Sequence, residues 1–237
     1  MNTNRFETTQ TRTREIDAGL RDHMNNIYAK MTAGVLVTAI TAWIVGSSPL
    51  LLQLFLGGPQ RYLVIFAPLA IIWFGFRPER MSPKQLMAAF FGVAVVYGIS
   101  FSAIAVMAAA DTTFGIAVAK AFFIAASMFA GLSIFGYTTK KDLSGMQTFI
   151  TMGIWGLIAA SLMNLFFQST GMSNVIAGVG IVLFSGLTVW QTQEMKEMYR
   201  PNMTKDNNER LAWAAALNLY ISFIALFQYI LHFMNQR

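Results

Sequence analysis

Near the end of the chain Asn218, Ser222, Ala225, Tyr229 and His232 recur at steps of four, three, four and three. On a helix that spacing sets them in one stripe. Amide, hydroxyl, phenol and imidazole groups in a row suit a wet cavity or a seam between helices. Against lipid they would be stranded without hydrogen-bond partners. A second apolar run ends in Ser185, Thr188, Gln191 and Thr192, again neutral and polar. Conventional catalytic groups are sparse. His23 and His232 are the two histidines and lie at opposite ends of the chain, and cysteine is absent. No metal-ligand spacing, nucleophile elbow or phosphate loop occurs. Asp111 and Asp142 fall at loops expected on opposite sides of a membrane, too far apart to act as a carboxylate pair. These features argue against an enzyme, a bound metal or a cofactor.

The stripe sits on the apolar stretch Leu211–Met234, long enough to cross a bilayer, since about 20 residues at ~1.5 Å rise span its ~30 Å core. A central helix surrounded by others would give the stripe protein or water to face. Composition agrees: 55% of the 237 residues are hydrophobic, 12% are charged, and the mean hydropathy is +0.51. The class expected is an all-α integral membrane protein of seven transmembrane helices. The net charge of +6 clusters at segment ends rather than on one face, so nucleic acid is not the expected partner; the lipid bilayer is.

Residues 1–27 form a polar tail without a signal-peptide h-region, and residues 28–237 form the membrane domain. The first 14 residues are expected to be disordered. Ile16, Leu20, Met24 and Ile27 then share a helical face, which suits either an interfacial helix or a soluble extension of the first span. That span, Tyr28–Ser47, repeats Gly34, Thr38, Ala42 and Gly46 every fourth residue, a face for close helix packing. The second, Tyr62–Phe76, is short and should be kinked by Pro68; Leu50–Leu56 either extends it or lies at the outer interface. Leu86–Met107 is a plain span. Thr113–Gly136 offers Ser127, Gly131 and the Ala126/Ala130 pair as packing positions. It also carries Lys120, two turns from its start and expected to snorkel to the interface rather than line a pore. Gln147–Gln168 places Gly153, Gly156, Ala160 and Asn164 on one face. Ser173–Thr192 follows a four-residue turn, and a hydrophilic loop, 193–210, leads to the last span.

Fourteen of the 17 basic residues fall on one side of this topology. They are Arg5, Arg12, Arg14, Arg21, Lys30, Arg77, Arg80, Lys84, Lys140, Lys141, Lys196, Arg200, Lys205 and Arg210. By the positive-inside rule the N-terminus is cytoplasmic.

One hydrophilic run is distinctive: Phe135, Gly136, Tyr137, Thr138, Thr139, Lys140, Lys141, Asp142, Leu143, Ser144. With Tyr28–Trp43, Ser185–Tyr199 and Ala216–Phe227 it resembles the bacterial branch of the Bax inhibitor-1 family. The resemblance covers residues 28–234 and implies six helices around a central seventh. It also implies functional positions. Relatives that leak calcium carry two aspartates, late in the sixth helix and midway along the seventh, which share a proton and gate by pH. The matching positions here are Gln191 and Ser222, neither of which titrates near neutral pH or attracts a divalent cation. Other relatives associate with membrane-embedded ATP-dependent proteases. Two readings follow. One is a stress or quality-control modulator that acts by contact with a membrane partner such as such a protease, a reading the missing acidic pair favours. The alternative is a pH-sensitive calcium leak.

Overall fold

The computed structural model describes the backbone of residues 3–235 and the side chains of residues 18–235. Its elements are α1 (Thr3–Gly46), α2 (Pro49–Leu56), α3 (Gln60–Ala70, continuing as a π-helical turn, Ile71–Gly75), α4 (Pro83–Ala110), α5 (Thr112–Thr138), α6 (Ser144–Phe167), α7 (Thr170–Met198) and α8 (Lys205–Met234). Six helices are long and apolar enough to cross a membrane; α2 and α3 with its π turn, bent by 74°, form either a seventh, broken span or a re-entrant loop.

Local sequence explains the boundaries. Ser82 and Gln85 form a reciprocal capping box at the start of α4, with Pro83 in the first turn. Asp111 Oδ1 accepts the Thr113 N–H at 2.8 Å and so starts α5 as soon as α4 ends. Between α6 and α7 the chain reverses through Gln168, whose φ of 48° is left-handed. Asn164 stabilises that turn by donating to Ser173 Oγ at 2.6 Å and accepting the Ser169 N–H at 3.1 Å. Pro68 lies inside α3, three residues before the π turn. A proline that cannot donate its backbone hydrogen bond commonly forces such a change of register.

α8 is the axis of the bundle. In its most apolar window 61% of residues are buried, against 11–28% in the other spans. It packs directly on α1, α4, α5 and α7, while α3 leans on α4 and α6 on α7. Four helices therefore touch the centre, and α3 and α6 lie in an outer layer. α1 and α4 cross closely along the small-residue face of α1. A Cβ on Gly34 would sit 2.5 Å from the Phe90 ring, and one on Gly98 would sit 2.7 Å from the Thr38 carbonyl.

Several expectations need correction. α1 is helical from Thr3, through the stretch expected to be disordered. It runs unbroken across residue 27, with Met24 and Ile27 buried in the core. The beginning of α1 is thus an extension of the first span rather than a separate interfacial helix; the side chain of Ile16 lies outside the described residues. α5 packs through Ala121, Ala125, Phe129, Ser133 and Gly136, and Ser127 and Gly131 are exposed. Every-fourth-residue spacing recurs on more than one face of a small-residue helix, and packing volume chose the other. Gly156 likewise faces open space, whereas Gly153 on the same expected face does meet α7, where a Cβ would stand 2.6 Å from Leu183; α6 also buries Ile150 and Leu157. The hydrophilic loop shrinks to residues 199–204, because α7 and α8 both continue beyond their apolar parts.

Candidate functional site

The stripe on α8 lines two cavities, and a buried hydroxyl–amide contact, called the lock below, lies between them. On the side where α1 begins, a cavity of ≈ 670 Å³ is lined by Arg77, Glu79, Arg80, Glu194 and Asn218. On the opposite side, a cavity of ≈ 720 Å³ is lined by Asn164, Ser173, Ala225, Tyr229 and His232. Between Asn218 and Ala225 stands Ser222, fully buried. Its hydroxyl donates to Gln191 Oε1 at 2.8 Å, tying α8 to α7. Gln191 is 7% exposed. Both groups are neutral, so the lock carries no charge and holds no titrating proton at ordinary pH.

Buried polar groups around the lock are satisfied locally. Thr188 donates to the Phe184 carbonyl at 2.8 Å and Thr192 to the Thr188 carbonyl at 2.9 Å. Across the core, Tyr220, with no exposed surface, shares a 2.7 Å hydrogen bond with Thr38 Oγ1. Thr38 in turn lies 3.0 Å from the Ala94 carbonyl, so one hydroxyl pair joins α1, α4 and α8.

The run Gly136–Ser144 forms a clamp at the end of the bundle. Gly136 lets α5 cross α7 closely: a Cβ there would lie 2.5 Å from the Val189 carbonyl. Gln193 then holds the loop from both sides, accepting the Leu143 N–H at 3.0 Å and donating to the Lys141 carbonyl at 2.7 Å. Lys196 donates to the Tyr137 carbonyl at 2.9 Å. Within the loop, the Ser144 backbone N–H holds the Asp142 carboxyl below the usual carboxylate range. Thr138 bonds back to its own helix, Thr139 Oγ1 accepts the Lys141 N–H, and Lys140 is exposed.

Sequence reasoning missed three features. Gln193 opens the expected hydrophilic loop 193–210, and only the extension of α7 to Met198 turns it toward the clamp. Lys30 pairs with Glu209 at 2.9 Å, Asn26 bridges both, and the ammonium sits over the Trp213 ring. These residues are some 180 positions apart, and no local signal joins them. His23, read as part of a soluble tail, is 5% exposed and stacks near Tyr199. Lys120 is exposed and lines neither cavity of the stripe. Among the described residues no three His, Cys, Asp or Glu side chains gather as a metal would require.

Apolar helices packed around a buried central one, with polar cavities opening toward both ends, define a multi-pass α-helical membrane protein. Its residues 20–237 match the family model described as "Inhibitor of apoptosis-promoting Bax1". The chain belongs to the Bax inhibitor-1 family. It is 32% identical to the inner membrane protein YbhL of Escherichia coli (strain K12), covering 93% of this chain and 94% of that protein. It is also 35% identical to an uncharacterized protein of Rickettsia prowazekii, over 97% of this chain and 96% of that protein. With an uncharacterized protein of Caulobacter vibrioides it shares 36% identity, over 93% and 90% of the two chains. It is a multi-pass protein of the bacterial inner membrane.

Proposed function

We propose that this protein acts without catalysis, as a modulator or accessory subunit in contact with another membrane protein such as an ATP-dependent protease. The observation that carries this reading is the Ser222–Gln191 bond, 2.8 Å long. The lock itself offers a divalent cation no carboxylate and holds no titratable group; Glu79 and Glu194 line the cavity to one side of it. With the passage shut this way, helix–helix contact is the activity left to the fold. The beginning of α1, within the polar tail of residues 1–27, is the handle we assign to the partner. Purification that preserves native complexes tests this: a stoichiometric membrane-protein partner is expected, and a lone monomer would contradict it.

The paired cavities support a second reading, a cation leak. There the polar stripe of Asn218, Ser222, Tyr229 and His232 is the path and the lock its gate.

Both readings place the basic ends of the helices, and hence the N-terminus, in the cytoplasm. The absence of native cysteine makes this testable by labelling. A Ser144→Cys protein should label from the cytoplasm and a Thr170→Cys protein from the periplasm. The reverse pattern would overturn the topology.

A further inference from the structure

α1 and α5 both pack on α8 but not on each other, which leaves a fissure between them. The part nearer the start of α1 is a cavity of ≈ 570 Å³ lined by Tyr28, Met31, Phe122, Phe129 and Phe223. A second cavity of ≈ 440 Å³ continues it past Phe122 and Phe223 toward Gly115 and Phe227. Along α1 the fissure runs from Arg21 to Ala42, about 30 Å at helical rise and so about one hydrocarbon thickness.

Two features distinguish it from an ordinary lipid-facing seam. Among the described residues Arg21 is the one charged residue lining the ≈ 570 Å³ cavity, at its end and with no described carboxylate beside it in the lining. It forms no ion pair among the described residues. Inside the same cavity is Ser133, 6% exposed, whose hydroxyl has no hydrogen-bond partner among the described residues. Helical serines commonly satisfy themselves on their own backbone, and a buried hydroxyl left unpaired costs free energy. Ser133 lies one turn deeper along α5 than Tyr137, which lines the same cavity and whose carbonyl receives the Lys196 ammonium.

A cation at the mouth, an unpaired donor one layer below and an aromatic, methionine-lined slot beneath match the three layers of a glycerophospholipid. We propose that this fissure holds one anionic glycerophospholipid. Its phosphate rests on Arg21, an ester carbonyl accepts from Ser133, and an acyl chain lies along Met31, Phe129 and Phe223. An anionic headgroup is favoured because the zwitterionic kind brings an ammonium close to an arginine that pairs with no acid among the described residues. A partner's transmembrane helix is the competing occupant, but an apolar helix would leave both Arg21 and Ser133 unpaired.

The test is native mass spectrometry of the full chain, titrated with phosphatidylglycerol and with phosphatidylethanolamine of the same acyl chains. The first bound lipid should favour phosphatidylglycerol by about fivefold to tenfold, as expected for one basic residue acting on an anionic headgroup. Arg21→Gln should reduce that preference to within about twofold. Ala126→Phe, which fills the slot, should weaken the first site for both lipids; if that variant melts early, Thr32→Trp, at an exposed position in the same lining, takes its place. A photoreactive residue at Ala130 should yield an adduct of lipid mass. Equal affinity for the two lipids would overturn the proposal, as would a preference untouched by Arg21→Gln and by slot filling, or an adduct to another polypeptide at Ala130.

Discussion

Gly34→Leu is expected to destabilise the protein by about 3 kcal/mol or more, at the upper end of what overpacking a core costs. A single Cβ at Gly34 would stand 2.5 Å from Phe90 and 3.3 Å from Tyr220, so the rest of a leucine has no room. Phe90 cannot swing aside. Its ring is held against Phe91, Trp213 and Tyr220 at centroid distances of 5.3, 5.5 and 5.6 Å, and it is fully buried. Displacing Tyr220 would also break its bond to Thr38. By contrast Leu36, two residues on, is 57% exposed. Leu36→Ala should change stability by roughly 0.5 kcal/mol or less, as exposed positions usually do. Melting of both variants in the same detergent checks the contrast, and equal losses would contradict the assignment of this face to helix packing.

Replacing both Gln191 and Ser222 with Asp should produce the second large effect. Two carboxylates brought to the spacing of the present hydrogen bond, 2.8 Å, cannot both ionise at ordinary pH, so they share a proton. In the unfolded chain both ionise above about pH 4. The folded double variant therefore loses stability as pH rises, because folding must hold a proton that the unfolded chain gives up. With both charges formed in the buried site the cost approaches about 3–5 kcal/mol, as for other uncompensated buried charge. Denaturation of the double variant should thus become easier from pH 6 to pH 8, while the native protein shows no such slope from these positions. A pH-independent double variant would mean that α7 and α8 separate at this point and let water in.

How much of this was legible in the residues alone differs from place to place. The spans could be read because their apolar lengths match the bilayer. The face of Gly34, Thr38, Ala42 and Gly46 could be read because nothing else on α1 competes with it. On α5 the same reasoning picked Ser127 and Gly131, since alanines, glycines and serines offer several faces and only the shape of α7 and α8 selects one. The stripe on α8 was visible as a pattern. Its division into two cavities around Ser222 was not, because that depends on Gln191 arriving from another helix. Lys30 and Glu209, like Gln193 and the backbone of Lys141 and Leu143, meet only through the tertiary fold. His23 falls in the polar tail of residues 1–27, yet α1 turns it toward Tyr199 and the bundle.

The central claim is that a neutral lock closes the passage between the two cavities. Calcium-dye flux into liposomes carrying the native protein, measured between pH 6 and pH 8, tests it most directly. Flux should stay close to that of protein-free vesicles and flat across the range, since neither Gln191 nor Ser222 changes charge there. A strong calcium leak with a sharp transition between acid and neutral pH would contradict the account and move the gate to other residues.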